Sequence, residues 1–206
     1  MIRFFGRRRA GRADAGAAAV EAAILLPLFF LLVFGILEWG LYMRDSLAIT
    51  ESARVGVRTA SALPRVENFT QTTVDAMARA GSAIPRSKIE FVYVYKANKQ
   101  GFPGPDGNET MTCPSASCDK FVWNPATGAF ALDPTSPPPP WNPKATIGTP
   151  GHVNACPSVK AGGPPDSVGV YVQAKHEWVT KFFGTSRQIS DRAVLTFEPR
   201  QIATCK

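Results

Sequence analysis

Residues 16–40 read "GAAAVEAAILLPLFFLLVFGILEWG", almost wholly apolar, with Glu21 near the start. From Ala22 to Leu37 run sixteen residues without a charge, and from Ala17 to Leu37 the single interruption is Glu21. A helix of that length spans about 31 Å, close to the ~30 Å hydrocarbon core of a bilayer. Leu, Phe and Ile surround such a helix on every side, so it does not read as a soluble helix with one buried stripe. The stretch predicts a transmembrane helix over 17–40.

Outward from this stretch, the charge supports the same reading. Residues 1–16 hold Arg3, Arg7, Arg8, Arg9 and Arg12 against Asp14, which accounts for four of the formal +7. A pI near 9.5 would otherwise suggest nucleic acid. Here the excess is a short basic head beside an apolar run, and no nucleic-acid partner is expected. Arginines on the N-terminal side predict the N-terminus in the cytoplasm and the bulk of the chain outside, a single-pass protein of the cytoplasmic membrane. A cleaved secretory signal has the same basic and apolar regions. Against it, the apolar run is long, bulky Trp39, Leu41, Tyr42 and Met43 follow, and the first small-x-small site is Ser46-Leu47-Ala48. No cysteine lies near the segment, which excludes a lipoprotein anchor.

Beyond Gly40, Ile49, Ala53, Val57 and Ala60 recur at spacings of three or four, while Arg44, Glu51, Arg54 and Arg58 gather towards another face. This predicts an amphipathic extension over 41–64 with one side available to a partner. Residues 17–62 as one helix would be about 69 Å long. Pro27 and Gly35 could bend it, and transmembrane helices tolerate both.

An acid at the centre of a membrane helix costs around 2.5–3.5 kcal/mol on insertion scales. Glu21 lies one turn in, so the plain reading is that it snorkels to the headgroups. The functional reading needs a cation. If the chain is cut after Gly16, Ala17 carries a free α-amino group. In staggered helices that amine could meet a neighbour's Glu21, offsetting desolvation and fixing register.

The basic leader ending in Gly16, the run Ala17-Ala18-Ala19-Val20-Glu21 and the apolar helix resemble a prepilin peptidase processing site. More narrowly, "GAAAVEAAILLP" followed by "GILEWG" resembles the TadE-like proteins, minor pseudopilins of the tight-adherence (Flp, type IVb) pilus. Gly16, Glu21, Pro27, Gly35 and Glu38 fall where that family places comparable residues. Ala22 departs from it, standing where an aromatic often follows the glutamate. The resemblance implies cleavage between Gly16 and Ala17, and pairing of Glu21 with another chain's new N-terminus. The implied partners are prepilin peptidase, other pilin or pseudopilin subunits, the inner-membrane assembly platform and membrane lipid. It covers residues 7–45 closely and is only architectural beyond about 62.

The expected organisation is a basic cytoplasmic leader (1–16), a transmembrane helix (17–40), an amphipathic extension (41–64) and an extracytoplasmic domain (65–206). In the last, "ENFTQTTVDAMARAG" places Phe69, Val74, Met77 and Ala80 at near-helical spacing, with Asn68 as N-cap and Gly81 as stop. "KIEFVYVYK", "SVGVYVQAKHEWV" (167–179) and "RQISDRAVLTFEPR" (187–200) predict three strands, the last two a hairpin turning near Gly184. The helix of 45–62 or of 67–81 is available to cover their apolar face. The fold class is therefore α+β. A long N-terminal transmembrane helix extends into a domain with a small antiparallel sheet, an arrangement that the resemblance makes pilin-like. Residues 98–166 form a long Pro/Gly-rich excursion. Within it, 119–132 predicts a small hairpin turning at Asn124–Gly128, and Pro137–Pro140 a stiff polyproline stretch. Trp123, Phe130 and Trp141 are expected to pack the excursion onto the sheet rather than form a recognition surface.

All four cysteines, Cys113, Cys118, Cys156 and Cys205, fall on the outer side. An even count in an oxidising space predicts two disulfides with three possible connectivities, Cys113–Cys118 with Cys156–Cys205 among them. The rival is zinc on Cys113, Cys118, His152 and Cys156, whose spacings fit no standard module. No metal or other cofactor is expected. There is no glycine-rich phosphate loop, HExxH or GxSxG. His176 and Glu177, adjacent in a strand, should point to opposite faces, and Asp166, Asp191 and Glu198 are scattered and expected to be solvated. No catalytic residue is assigned. Three functions remain: a pilus structural subunit, an uncleaved single-pass anchored protein whose loop 98–166 binds a ligand, and, least favoured, a metal-dependent outer enzyme.

Overall fold

The computed structural model describes residues 12–63, 68–79, 84–113, 117–136, 141 and 167–197. Helix α1 runs Arg12–Ala62 and α2 Phe69–Arg79; a 3-10 turn at Arg86–Lys88 leads into β1, Ile89–Ala97. Strands β2 (Cys118–Asn124), β3 (Ala129–Leu132), β4 (Ser167–Glu177) and β5 (Ser186–Thr196) follow. The chain divides between Leu41 and Tyr42 into two compact units.

The first unit holds the apolar part of α1. Pro27 lies inside the helix, and the side chains around it, Ile24, Leu28, Phe29 and Leu31 among them, are exposed. Phe30 stacks on Phe34, one turn on, with centroids 6.1 Å apart.

The second unit is α+β. All pairings are antiparallel, in the order β3-β2-β1-β4-β5. Three strands and a separate small hairpin were expected; instead the hairpin β2–β3 joins the sheet, with Val92 opposite Phe121. A hairpin alone leaves its own edge and that of β1 unpaired, and adding it to β1 satisfies both. Its turn lies where expected: the Gly128 N–H donates to the Asn124 carbonyl, and Gly128 has φ 64°.

Side-chain parity decides which face of the sheet is core. A register irregularity between Ile89 and Phe91 puts Ile89, Val92 and Val94 in the main core, while Phe91, Tyr93 and Tyr95 face the other way. On β4 the even residues Val168 to Ala174 join that core, and both helices cover it. The amphipathic stripe of α1 is as expected: Ile49, Ala53, Val57 and Ala60 are buried and Arg44, Glu51, Arg54 and Arg58 exposed. At Gly56 a Cβ would lie 3.0 Å from Val170 Cγ1, so glycine sets how closely the helix approaches β4. From α2, Phe69, Val74 and Met77 complete the layer. Each such side chain, fully buried, contributes about 1.5–3 kcal/mol.

The opposite face is covered by the start of the excursion, residues 98–113. Tyr95 is wholly buried there and its hydroxyl donates to the Gly101 carbonyl at 3.1 Å. Burial pushes its pKa up. Cys113 and Cys118 close the loop as a disulfide. Phe130 and Trp141 are buried and Trp123 packs against the core, as expected of a packed-down excursion. The polyproline stretch at Pro137–Pro140, the stop at Gly81, and Cys156 and Cys205 lie outside the described residues.

Candidate functional site

The candidate site is α1 together with the groups gathered at the start of its packed half. Local sequence explains the helix: Ala and Leu dominate, and no glycine falls between Gly16 and Gly35. Gly16 and Glu21 are exposed, on a helical stretch whose apolar window is wholly unburied. A methyl group at Gly16, Gly35 or Gly40 would meet nothing within 4 Å, so space within the chain does not require glycine there. Glu38, by contrast, is 2% exposed. A carboxylate that far from water needs compensating polar contacts.

At the start of the second unit, Asp45 faces His176 on β4, with Nδ1 2.8 Å from Asp45 Oδ2. The other carboxylate oxygen accepts from Arg44 Nη2 at 2.9 Å. His176 is 2% exposed, and its Nε2 has no hydrogen-bond partner among the described residues. Around this pair, Tyr42 stacks on Trp178 at 5.7 Å, His176 meets the Trp178 ring edge-on at 4.7 Å, and the Arg187 guanidinium lies 5.2 Å over Tyr42. Glu177 points the other way and pairs with Lys88 at 3.2 Å. The expected opposite facing of His176 and Glu177 therefore holds. Higher on the helix, the Thr50 hydroxyl donates to Asp191 Oδ2 at 2.5 Å, so Asp191 is half-buried and tied to α1. Asp166 and Glu198 lie outside the described residues.

A second polar node sits on β2. Asp119 is wholly buried and accepts from the Thr70 hydroxyl at 2.7 Å and the Trp141 backbone N–H at 2.8 Å. Burial pushes its carboxyl up, and these two donors pull it back. It ties the first turn of α2 and the excursion to the sheet. Nearby, a hydrogen bond from Lys120 and two donors of Thr135 hold the Asp133 carboxyl at about 2. Both nodes are structural braces. Among the described residues no three His, Cys, Asp or Glu side chains gather to hold a metal ion. Cys113 and Cys118, bonded to each other, are unavailable to the zinc alternative; Cys156 and His152 lie outside the described residues.

Sequence reading singled out Gly16, Ala17 and Glu21 but missed Asp45 and Asp119. The signal for Asp45 was faint. It is an acid on the buried stripe, four residues before Ile49, and only a partner 131 positions away gives it a reason.

The family model described as TadE-like protein matches residues 16–58. The match begins at Gly16, covers the whole apolar stretch and ends within α1, so the similarity is confined to the helix and the sheet lies beyond it. No curated protein and no solved structure matches the chain.

Proposed function

We propose that this chain is a minor pseudopilin of a tight-adherence pilus, anchored by α1 in the cytoplasmic membrane with its sheet domain outside. In this reading prepilin peptidase cuts between Gly16 and Ala17. The helix from Ala17 onward then packs against other pilin or pseudopilin subunits and the assembly platform. The observation that carries the reading is a coincidence of position. The TadE-like match starts at Gly16, the residue that ends the basic leader, and continues through a stretch of α1 that buries nothing. An apolar helix left uncovered for that length needs lipid or other helices. TadE-like proteins are pilus components rather than enzymes, and the polar nodes found are braces rather than a reacting site.

Glu21 has a role in this reading that a simple anchor would not require. Freed by cleavage, the Ala17 amine of one subunit neutralises Glu21 of its neighbour and sets the axial register of the pair.

The intact mass of the membrane-bound protein, made with and without a prepilin peptidase, tests the proposal. A form beginning at Ala17 and appearing only with the peptidase is expected. A full-length chain under both conditions would overturn processing and favour the anchored binding protein.

A further inference from the structure

We propose that the tip of the β4–β5 hairpin, residues 178–185, is a lipid-contacting foot that rests in the headgroup layer of the membrane crossed by α1. The inference rests on the anchored reading above.

The tip is apolar where a turn is normally polar. It reads "WVTKFFGT", and Val179, Phe182 and Phe183 are 72%, 70% and 62% exposed. Elsewhere among the described residues of the second unit, the exposed large apolar side chains are Met43, Leu47 and Leu195. Three such side chains within five positions form a patch rather than isolated exposures.

Its place in the fold says what covers it. Reading along β4, Val170 lies against Gly56, His176 against Asp45 and Trp178 against Tyr42. The strand thus descends α1 towards the earliest residues of this unit, and the tip leaves from that end. Tyr42 follows Leu37, the last residue of the uninterrupted apolar run, by five positions, or about 7.5 Å of helix. The headgroup layer on each side of a bilayer is about 5–8 Å thick. Chain continuity therefore keeps Trp178, stacked on Tyr42, within reach of the bilayer surface.

The tip is also braced and suitably charged. Trp178 is nearly buried, held between Tyr42, His176 and Phe183, and its N–H donates to the Thr185 carbonyl at 3.2 Å. Lys181 takes a left-handed conformation, φ 62°, and Gly184 has φ 104°, so the chain turns tightly with Phe182 and Phe183 at its apex. Among the acids at this end, Asp45 is paired with Arg44 and Glu177 with Lys88, and Glu90 accepts from Gln173 and Gln188, while Lys181 and Arg187 are exposed. Aromatic rings flanked by cations suit the interface, where rings sit at headgroup depth and cations meet phosphates.

The test uses full-length protein in phosphatidylethanolamine/phosphatidylglycerol vesicles, with a photoreactive benzophenone side chain placed singly at Phe182, Phe183, Phe29 or Glu109. All four side chains are exposed, so each replacement leaves the core unchanged. Lipid adducts at Phe182, Phe183 and Phe29, with none at Glu109 in the loop beyond the other end of β1, are expected. Lipid at Phe29 with none at the tip, or a cross-link from the tip to a second copy of the chain, overturns the foot and leaves the anchor standing. Equal labelling at Glu109 and the tip overturns the localisation. Absence of lipid adducts at Phe29 overturns the anchored reading itself, and the foot with it.

Discussion

His176 and Asp45, 131 residues apart, meet through a 2.8 Å contact between Nδ1 and Oδ2 that pins β4 to the start of the packed half of α1. His176 Nε2 has no partner among the described residues, which leaves the contact with Asp45 to satisfy the buried ring. Asp45→Ala leaves that ring unsatisfied and is expected to cost about 1–3 kcal/mol. Asp45→Asn keeps an oxygen acceptor and should cost less. Denaturant unfolding of the detergent-solubilised full chain would rank the two; negligible losses in both would show that the contact contributes little.

A backbone position on the other face of the sheet is as tightly constrained. A Cβ at Gly169 would lie 2.3 Å from Tyr95 Cζ and 2.5 Å from Cε2, inside a ring that is wholly buried. Gly169→Ala is therefore expected to destabilise by about 1–3 kcal/mol through overpacking. Combined with Tyr95→Leu, it should cost clearly less than the two changes added, because the pair share one contact. Additive losses would place the strain elsewhere.

Two carboxylates predict opposite pH dependences. Asp133 sits at about 2 against an ordinary 3.8. Between those values the unfolded chain binds the extra proton, so its contribution to stability is present above about 4 and is lost as pH falls towards 2. Asp119 is displaced upward, so above 3.8 the folded chain holds the extra proton and stability falls as pH rises through its folded value. Asp133→Asn should flatten the acid limb of a stability–pH curve, and Asp119→Asn should remove the decline on its higher side. Unchanged limbs in both variants would rule out these titrations as the cause.

Glu21→Gln removes a charge from an exposed site in the apolar stretch. Membrane insertion should be unchanged or improved, since an acid in a membrane helix is unfavourable by up to a few kcal/mol. Recovery in pilus assemblies should fall. Fractionation of membranes and sheared pili would report both, and normal assembly of the variant would end the charge-pairing account.

Local pattern made much of this protein legible. Sixteen residues without a charge after Ala22 are enough to specify an apolar helix. The spacing of Ile49, Ala53, Val57 and Ala60 specifies which face of its extension is buried, because a 3.6-residue period leaves little choice. Alternation over 167–179 and a glycine at 184 made the β4–β5 hairpin readable for the same reason, period two ending at a left-handed turn. Gly16 and Glu21 were visible because a small residue at the end of a basic leader and a lone acid in an apolar run are local anomalies.

What the chain alone left undecided were the relations between distant positions. Which edge of β1 the hairpin β2–β3 would join, and that Phe91 and Tyr93 would face away from the main core, depended on pairing across the sheet and on one irregularity near Ile89. Asp45, Thr50 and Asp119 acquired their roles only when His176, Asp191 and Thr70 arrived from other elements, since a buried polar group is stabilised by partners rather than by neighbours in sequence. Residue order alone specifies the helix that lies bare and the stripe on it that is covered. Packing between distant elements settles what covers that stripe and which end of the sheet the aromatic turn leaves from, because periodicity is written locally and contact is not.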